Sequence, residues 1–386
     1  MILSLGPQHP STHGVLQVLT QIEGETIVRA DPEIGYLHTG IEKSAENLFW
    51  TQASTVIERM DYLSPLTNAL CYILAVEKLL GVTDRIPERA QQLRVMLSEL
   101  SRIASHCVWL GTGGIDLGAI SPFFYAFDLR ENILDLFEVS GGARMHPNYL
   151  RIGGLREDIP QGFLDRLDEL IAKFPGRMRD LRKLLQNNPI LQDRMVDVAI
   201  LEPADALAWN ITGPSLRASG IAYDVRKAYP YSGYEQYDFD VPTRTEGDAY
   251  ARFLVRLDEM EQAMRIVEQA RRKLVGGSVM IDDTKIAPPP KETIALSMEA
   301  LIHHFKLVSE SFRVPPGDVY QAVEGPRGEL GYYLVSNGDN RPWRVRTRPP
   351  SMYNLQVLKK LAIGELIADM VVCIGSLDPV FGEVDR

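Results

Sequence analysis

Two histidines, His9 and His13, stand four residues apart in the run Gly6-Pro7-Gln8-His9-Pro10-Ser11-Thr12-His13-Gly14. Imidazole titrates near neutral pH and ligates metals, so the pair offers proton transfer or metal binding. A spacing of four would put both rings on one helix face, but Pro10 disfavours helix at His9. The turn-rich composition fits two solvated rings on a stiff loop equally well. Tyr62, after Arg59-Met60-Asp61 at an expected helix start, offers a phenol donor or a core aromatic with one polar tip. Asp116 lies near a helix end, where a carboxylate can also serve as a cap. His303 and His304 fall on an expected helix, with one of the pair at the surface. Arg217, Asp224, Arg226 and Lys227, with Tyr229 and Tyr231, are dense for a loop and read as a salt-bridged segment docked on its own bundle or on a partner.

Several chemistries are missing. There is no GxxxxGK[ST] phosphate loop and no HExxH zinc motif. The glycine-rich stretch Gly111–Gly118 puts Asp116 where the third glycine of a dinucleotide loop would stand, and it follows a helix rather than a strand.

The elements that must position these residues belong to a chain of 386 residues with 41 Lys+Arg against 51 Asp+Glu, a formal charge of −10. With that sign and no Lys/Arg run, no nucleic-acid partner is expected. Hydrophobic residues at 45% and charged residues at 24% fit a globular chain rather than a disordered one. Cys71, Cys107 and Cys373 are far apart, so no CxxC pair or disulfide framework is expected, which fits a reducing compartment. No apolar run nears the roughly 18 residues of a membrane span, and the N-terminus lacks the regions of a signal peptide.

The spacing predicts strands over 14–22 and 26–30, separated by the turn Glu23-Gly24-Glu25. Helices are expected over 40–60, 62–80, 87–110 (closing at Gly111), 124–139, 162–185, 249–274 and 292–310. Strand-like runs cover 319–323 and 331–335, the latter joined through Asn337-Gly338 to 343–346 as a hairpin. The fold class is α+β: a small N-terminal β-sheet, a large helical bundle core and a C-terminal mixed α/β lobe. The expected division is an N-terminal β domain over 1–40, a bundle over 41–200, an extended docking segment over 201–245 and a C-terminal lobe over 246–386.

Nine strings in order resemble one family. They are Gly6–Gly14, Ile34–Lys43, Arg59–Ser64, Gly142–His146, Gly213–Gly220, Asp224–Tyr231, Ser297–Ala300, Arg327–Gly331 and Ser376–Arg386. The chain is similar to the quinone-site, 49-kDa-type (D-type) subunits of NADH–quinone oxidoreductase, respiratory complex I. These are distantly similar in fold to the large subunit of nickel–iron hydrogenases. The resemblance implies a peripheral subunit on the cytoplasmic face of a bacterial membrane, within a proton-translocating enzyme. Its expected partners are the iron–sulfur subunit carrying the terminal cluster, other peripheral-arm subunits and a membrane-arm subunit at the quinone channel. It implies quinone as substrate, FMN and iron–sulfur clusters on partner subunits and no cofactor held by this chain. It carries quinone contacts over to His13 and Tyr62, the charge partner of the histidine to Asp116, and a place beside the head group to His9. The same module with a donor other than NADH, or a purely structural joint between two arms, are the alternatives.

The hydrogenase likeness can be tested on residues. A nickel–iron centre needs four thiolates, and the corresponding positions hold Asp61, Ser64, Val380 and Glu383, with Arg386 in place of a histidine. No metal is expected. One departure from the family is Asp128, which stands where relatives carry an arginine.

Overall fold

The computed structural model describes residues 1–9, 12 and 14–386. Its N-terminal sheet has the antiparallel order β1 (Ile2–Leu5), β2 (Gln17–Glu23) and β3 (Thr26–Glu33). Leu16, Val18 and Ile22 alternate inward and meet Ile27 and Ala30 across the hairpin, the period-2 pattern of a half-buried sheet. Gly24 at φ 63° makes the turn anticipated between the strands. β1 is a third strand that the sequence pattern does not reveal.

The helices α1 (Ile41–Asn47) and α2 (Trp50–Ile57) replace the single helix expected over 40–60. Next come α3 (Pro65–Leu80), α4 (Glu88–Asp116) and α5 (Ser121–Gly141). Helix α4 does not close at Gly111. A Cβ there would lie 3.0–3.2 Å from the Phe127 and Phe123 rings, and one at Gly114 would lie 3.1 Å from the Ala119 carbonyl. These glycines admit α5 at close range instead of ending the helix, so α4 carries Asp116 in its last turn. A short hairpin, β4 (Leu150–Arg151) and β5 (Gly154–Leu155), precedes α6 (Phe163–Leu185) and α7 (Pro189–Met195).

Residues 201–245 contain only the short helices α8 (Pro203–Ala208), α9 (Pro214–Ala218) and α10 (Val225–Ala228). They lead to α11 (Ala249–Lys273), then α12 (Lys291–Ile294) and α13 (Met298–Ser309), which divide the helix expected over 292–310. The second three-stranded sheet is the meander β6 (Gly317–Gly325), β7 (Gly328–Ser336) and β8 (Arg344–Arg348). The chain then runs through α14 (Pro350–Gln356), α15 (Leu358–Leu361), α16 (Met370–Leu377) and α17 (Phe381–Asp385). The mixed α+β class holds.

Two apolar cores form. The larger gathers α3 to α6, α11 and the second sheet; the smaller joins the N-terminal sheet to α14–α17. The dense loop of residues 217–231 docks on its own bundle. Arg217 donates through Nε to Glu259 of α11 at 2.8 Å and through Nη1 to Glu324 of β6 at 2.8 Å. Arg226 reaches Glu99 of α4 at 3.0 Å and Asp224 at 2.6 Å, and Arg102 donates to Glu99 at 3.1 Å. All these side chains are buried. Burial works against the Asp224 carboxylate, but Arg226 and Arg217 outweigh it and hold its pKa at about 2. Tyr231 accepts the Glu324 N–H at 3.1 Å, while Tyr229 stays exposed.

Candidate functional site

The connection from α2 to α3 is a tight turn built by Asp61. Its Oδ1 accepts the N–H groups of Leu63 and Ser64, each at 3.1 Å. These donors stand at the start of α3, where backbone N–H groups lack intrahelical partners. The same carboxylate receives Arg327 Nη1 at 3.1 and 2.9 Å. Arg327 sits on the two-residue turn between β6 and β7. That tip is wedged in place: a Cβ on Gly213 would fall 2.4 Å from the Arg327 carbonyl, and one on Gly328 would fall 2.4 Å from Thr212 Oγ1. Asn354 of α14 donates to the Arg327 carbonyl at 3.0 Å.

Two further carboxyls face this guanidinium. Asp378, in the left-handed conformation just after α16, brings Oδ2 to 3.1 Å from Arg327 Nε. That approach is an ion pair without hydrogen-bond alignment, and Arg327 Nη2 is buried without a hydrogen-bond partner among the described residues. Glu383, on α17, accepts the Ser351 N–H at 2.8 Å. Burial first, then the Asp61 charge, pushes Glu383 up to about 7, although Arg327 pulls the other way. Burial likewise raises Asp61, opposed by Arg327 and by the Ser64 and Leu63 N–H groups.

Tyr62 is half-buried beside this cluster. Burial raises its phenol above the usual value; Arg327 opposes that rise, while Asp61, Asp378 and Glu383 add to it. Tyr62 also touches the C-terminal helix, since a Cβ on Gly382 would lie 3.2 Å from its Cε1 and 2.4 Å from the Met60 carbonyl. On the other side of that helix, a Cβ on Gly14 would lie 3.1 Å from the Phe381 ring. The end of the histidine loop and Tyr62 therefore meet on the same segment, Phe381–Gly382, at the seam between the two cores.

The remaining expected site residues can be placed from there. His9 is exposed, and its carbonyl accepts Thr12 N–H at 3.0 Å and Thr12 Oγ1–H at 2.7 Å. His13 lies outside the described residues. Asp116 is half-buried at the end of α4 and lines an apolar cleft of about 430 Å³ with Trp109, Val372, Gly375 and Ser376. Trp109 Nε1 donates to the Gly375 carbonyl at 2.6 Å, which ties α4 to α16. Tyr62 does not line that cleft. Helix α16 connects the two places, with Gly375 and Ser376 at the cleft and Asp378 in the charge cluster.

The four positions expected to correspond to hydrogenase thiolates do converge, but their chemistry is spoken for. Asp61 is bound by Arg327, the Ser64 hydroxyl donates to Thr67 Oγ1 at 2.9 Å, the Val380 N–H donates to Ser351 Oγ at 3.3 Å, and Glu383 accepts from Ser351. A guanidinium in their midst is incompatible with a nickel–iron centre, whose metals are held by thiolate. Among the described residues no group of three or more His, Cys, Asp or Glu is arranged to hold a metal ion, and no helix is long and apolar enough to cross a membrane.

Sequence reasoning named Asp61 and Glu383 only as missing thiolates, and it missed Arg327 and Asp378. The signal available was the Gly325-Pro326-Arg327-Gly328 tip, a turn that carries a cation between two strand-like runs. It also missed Glu58, a buried carboxyl whose Oε1 lacks a hydrogen-bond partner among the described residues and whose Oε2 accepts the Asn148 N–H at 3.2 Å. Burial pushes Glu58 up to about 7, against Asn148, Arg151 and Arg59. Asp128 pairs within the chain, with Arg177 of α6 at 2.7 Å.

The family model described as respiratory-chain NADH dehydrogenase, 49 Kd subunit, matches residues 116–386. The first of two D-type subunits of the NADH-quinone oxidoreductase of Symbiobacterium thermophilum is 53% identical over all of this chain and 96% of its own length. The second D-type subunit of Chloroflexus aurantiacus is 53% identical over all of this chain and 94% of its own. The D-type subunit of Frankia alni is 51% identical over all of this chain and 86% of its own. With similarity of that depth along its whole length, the chain belongs to the 49-kDa subunit family of respiratory-chain NADH dehydrogenase, the D-type subunits of NADH-quinone oxidoreductase.

Proposed function

We propose that this chain forms the quinone head-group site of a proton-translocating NADH:quinone oxidoreductase and sits peripherally on the cytoplasmic face of the membrane. Electrons reach the quinone from the terminal iron–sulfur cluster of a neighbouring subunit. The names of the similar chains favour NADH as the ultimate donor over another reductant. What this chain supplies is hydrogen-bond donors and protons.

Reduction of a quinone to a quinol consumes two electrons and two protons. Each proton needs a donor within about 2.6–3.2 Å of a quinone oxygen, or one water away. In this reading Tyr62 and His13 hydrogen-bond the two oxygens, and His9 lies beside the head group in the same loop. Asp116 is the partner of His13 and favours its imidazolium form by opposite charge. The observation that carries the reading is the meeting of Gly14, next to His13, and Tyr62 on Phe381–Gly382. That contact ties the histidine loop and the phenol to one wall of the subunit.

The decisive experiment replaces Tyr62 with Phe in the assembled complex. Quinone reductase activity is expected to fall about 100-fold, the lower range for loss of a positioned acid. Assembly, cluster signals and NADH oxidation by an artificial acceptor upstream of quinone stay unchanged. Wild-type quinone turnover in Tyr62→Phe would overturn the assignment.

A further inference from the structure

The charge cluster behind Tyr62 is unevenly paired. Asp61 takes two hydrogen bonds from Arg327, and Asp378 lies 3.1 Å from the same guanidinium. Asp378 is also faced by Arg256 of α11, whose guanidinium stacks over Trp109 at 4.3 Å from the ring centroid. Glu383 accepts from the Ser351 N–H and takes no hydrogen bond from a cation among the described residues. It is 1% exposed. The groups facing it are Asp61 and Tyr62 from the α2–α3 turn, Arg327 from the β6–β7 tip, Ser351 from α14 and Tyr332 from β7. An ionised carboxylate in that position would be a third buried anion around a guanidinium already shared by two. The neutral acid avoids that cost.

The acid also lies one residue from the contact with the phenol, because Gly382 is the residue packed on Tyr62 Cε1. We propose that Glu383 is the residue that returns a proton to Tyr62 after each turnover. Resting on the quinone-site reading, the step is a single proton transfer with no change of oxidation state. Once Tyr62 has released its proton to the reduced head group, the O–H bond of the Glu383 carboxylic acid breaks and the phenol O–H bond re-forms. The resulting carboxylate is held by the Arg327 charge until solvent reprotonates it. The direction is downhill, since a buried phenolate is a far stronger base than a carboxylate. Asp61 and Asp378 do not substitute, because each is already engaged in an ion pair with Arg327. Glu383 acts through Tyr62 and touches no substrate, so it positions a proton and is not itself a catalytic residue.

The test uses the assembled complex with a short-tailed ubiquinone as probe. In the wild type, kcat falls as pH rises through about 7, where the acid form of Glu383 is lost. Glu383→Gln keeps an oxygen for the Ser351 N–H but has no proton to give. Its kcat at pH 7 is expected to drop about tenfold, with KM within about twofold and no alkaline limb. Glu383→Asp restores a titrating carboxyl and brings the limb back. A Glu383→Gln enzyme with wild-type kcat and an intact limb overturns the proposal. If Tyr62→Phe also keeps wild-type activity, the quinone-site reading fails; if Tyr62→Phe is impaired, only the proton return fails. Should neither Glu383 variant assemble, infrared difference spectra of the wild type decide. Loss of a protonated-carboxyl carbonyl band during turnover supports the step, and no such band in any state overturns it.

Discussion

Two buried charge clusters lie on either side of the β6–β7 hairpin tip, and they are built on opposite rules. In the cluster around Arg217, every carboxylate receives a guanidinium hydrogen bond: Glu99 from Arg226 and Arg102, Asp224 from Arg226, Glu259 and Glu324 from Arg217. His106 adds a bond to Glu259 at 3.1 Å and is pushed toward its neutral form by burial. In the cluster around Arg327, one guanidinium faces three carboxyls, Glu383 has no cationic hydrogen-bond donor, and Arg327 Nη2 has no partner among the described residues. Saturated pairing fixes a chain segment in place. Incomplete pairing keeps a proton bound near neutral pH, and the phenol stands only at that second cluster. Structural and chemical burial of charge are thus distinguishable by which carboxyl lacks a cation.

The largest effect expected from this contrast is at Arg217. Arg217→Met leaves Glu259 and Glu324 buried without their guanidinium, a change that costs roughly 3–5 kcal/mol. Native gels and thermal unfolding should show lost assembly or a strongly lowered Tm. Asp61→Asn comes next. The amide oxygen still accepts from Leu63 and Ser64, so the α3 turn survives, and the loss is one charged hydrogen-bond pair worth about 1.5–3 kcal/mol. It should also move the alkaline limb of turnover to lower pH, because the Asp61 charge is among the forces raising Glu383. An unmoved limb would separate Glu383 from that limb.

The contrast also explains what the sequence could and could not disclose. The N-terminal hairpin, the Asn337-Gly338 turn and the long helices were legible because alternation, 3.6-residue periodicity and turn residues are local signals. The extension of α4 past Gly111 was not, because the rings that require those glycines come from α5. The short helices after residue 350 were also missed, since helices of only one or two turns give periodicity too little length to show. At the site, Tyr62 was legible through a string of neighbours. Arg327 and Asp378 were not, because nothing in a charged side chain's own sequence reveals that a fold buries it beside residues far away in the chain, as Arg327 is beside Asp61.

A third buried carboxyl checks the rule independently of turnover. Glu58 is raised from its ordinary 4.5 to about 7. A folded-state pKa above the unfolded one gives stability that is complete below about pH 4.5 and is lost as pH rises through about 7. The gap between the two values corresponds to at most about 3 kcal/mol, at about 1.36 kcal/mol per pH unit. Glu58→Gln removes that dependence but buries an amide with one imperfect bond, which takes back about half of the gain. The variant should therefore unfold at a higher Tm than wild type at pH 8, by about 1–2 kcal/mol of stability. The advantage should vanish at pH 5. Saturated carboxylates such as Asp224 behave oppositely: with a pKa held at about 2, their contribution is lost only as pH falls through the acid range.

The smallest expected effect is at Asp128, where relatives of this family carry arginine. Its pair with Arg177 spans α5 and α6 at 2.7 Å, but the two side chains are 50% and 40% exposed. Water screens such a pair and side-chain entropy opposes it, so its worth is about 0–1 kcal/mol. Asp128→Ala should leave Tm within a degree or two and quinone turnover unchanged. Asp128→Arg would set two arginines against each other on α5 and α6 and should lower Tm slightly, more at low salt than at high salt. If both variants instead lose quinone turnover at unchanged Tm, Asp128 acts outside the α5–α6 pair, and exposed pairing in this chain would carry a functional load that only the buried clusters are expected to bear.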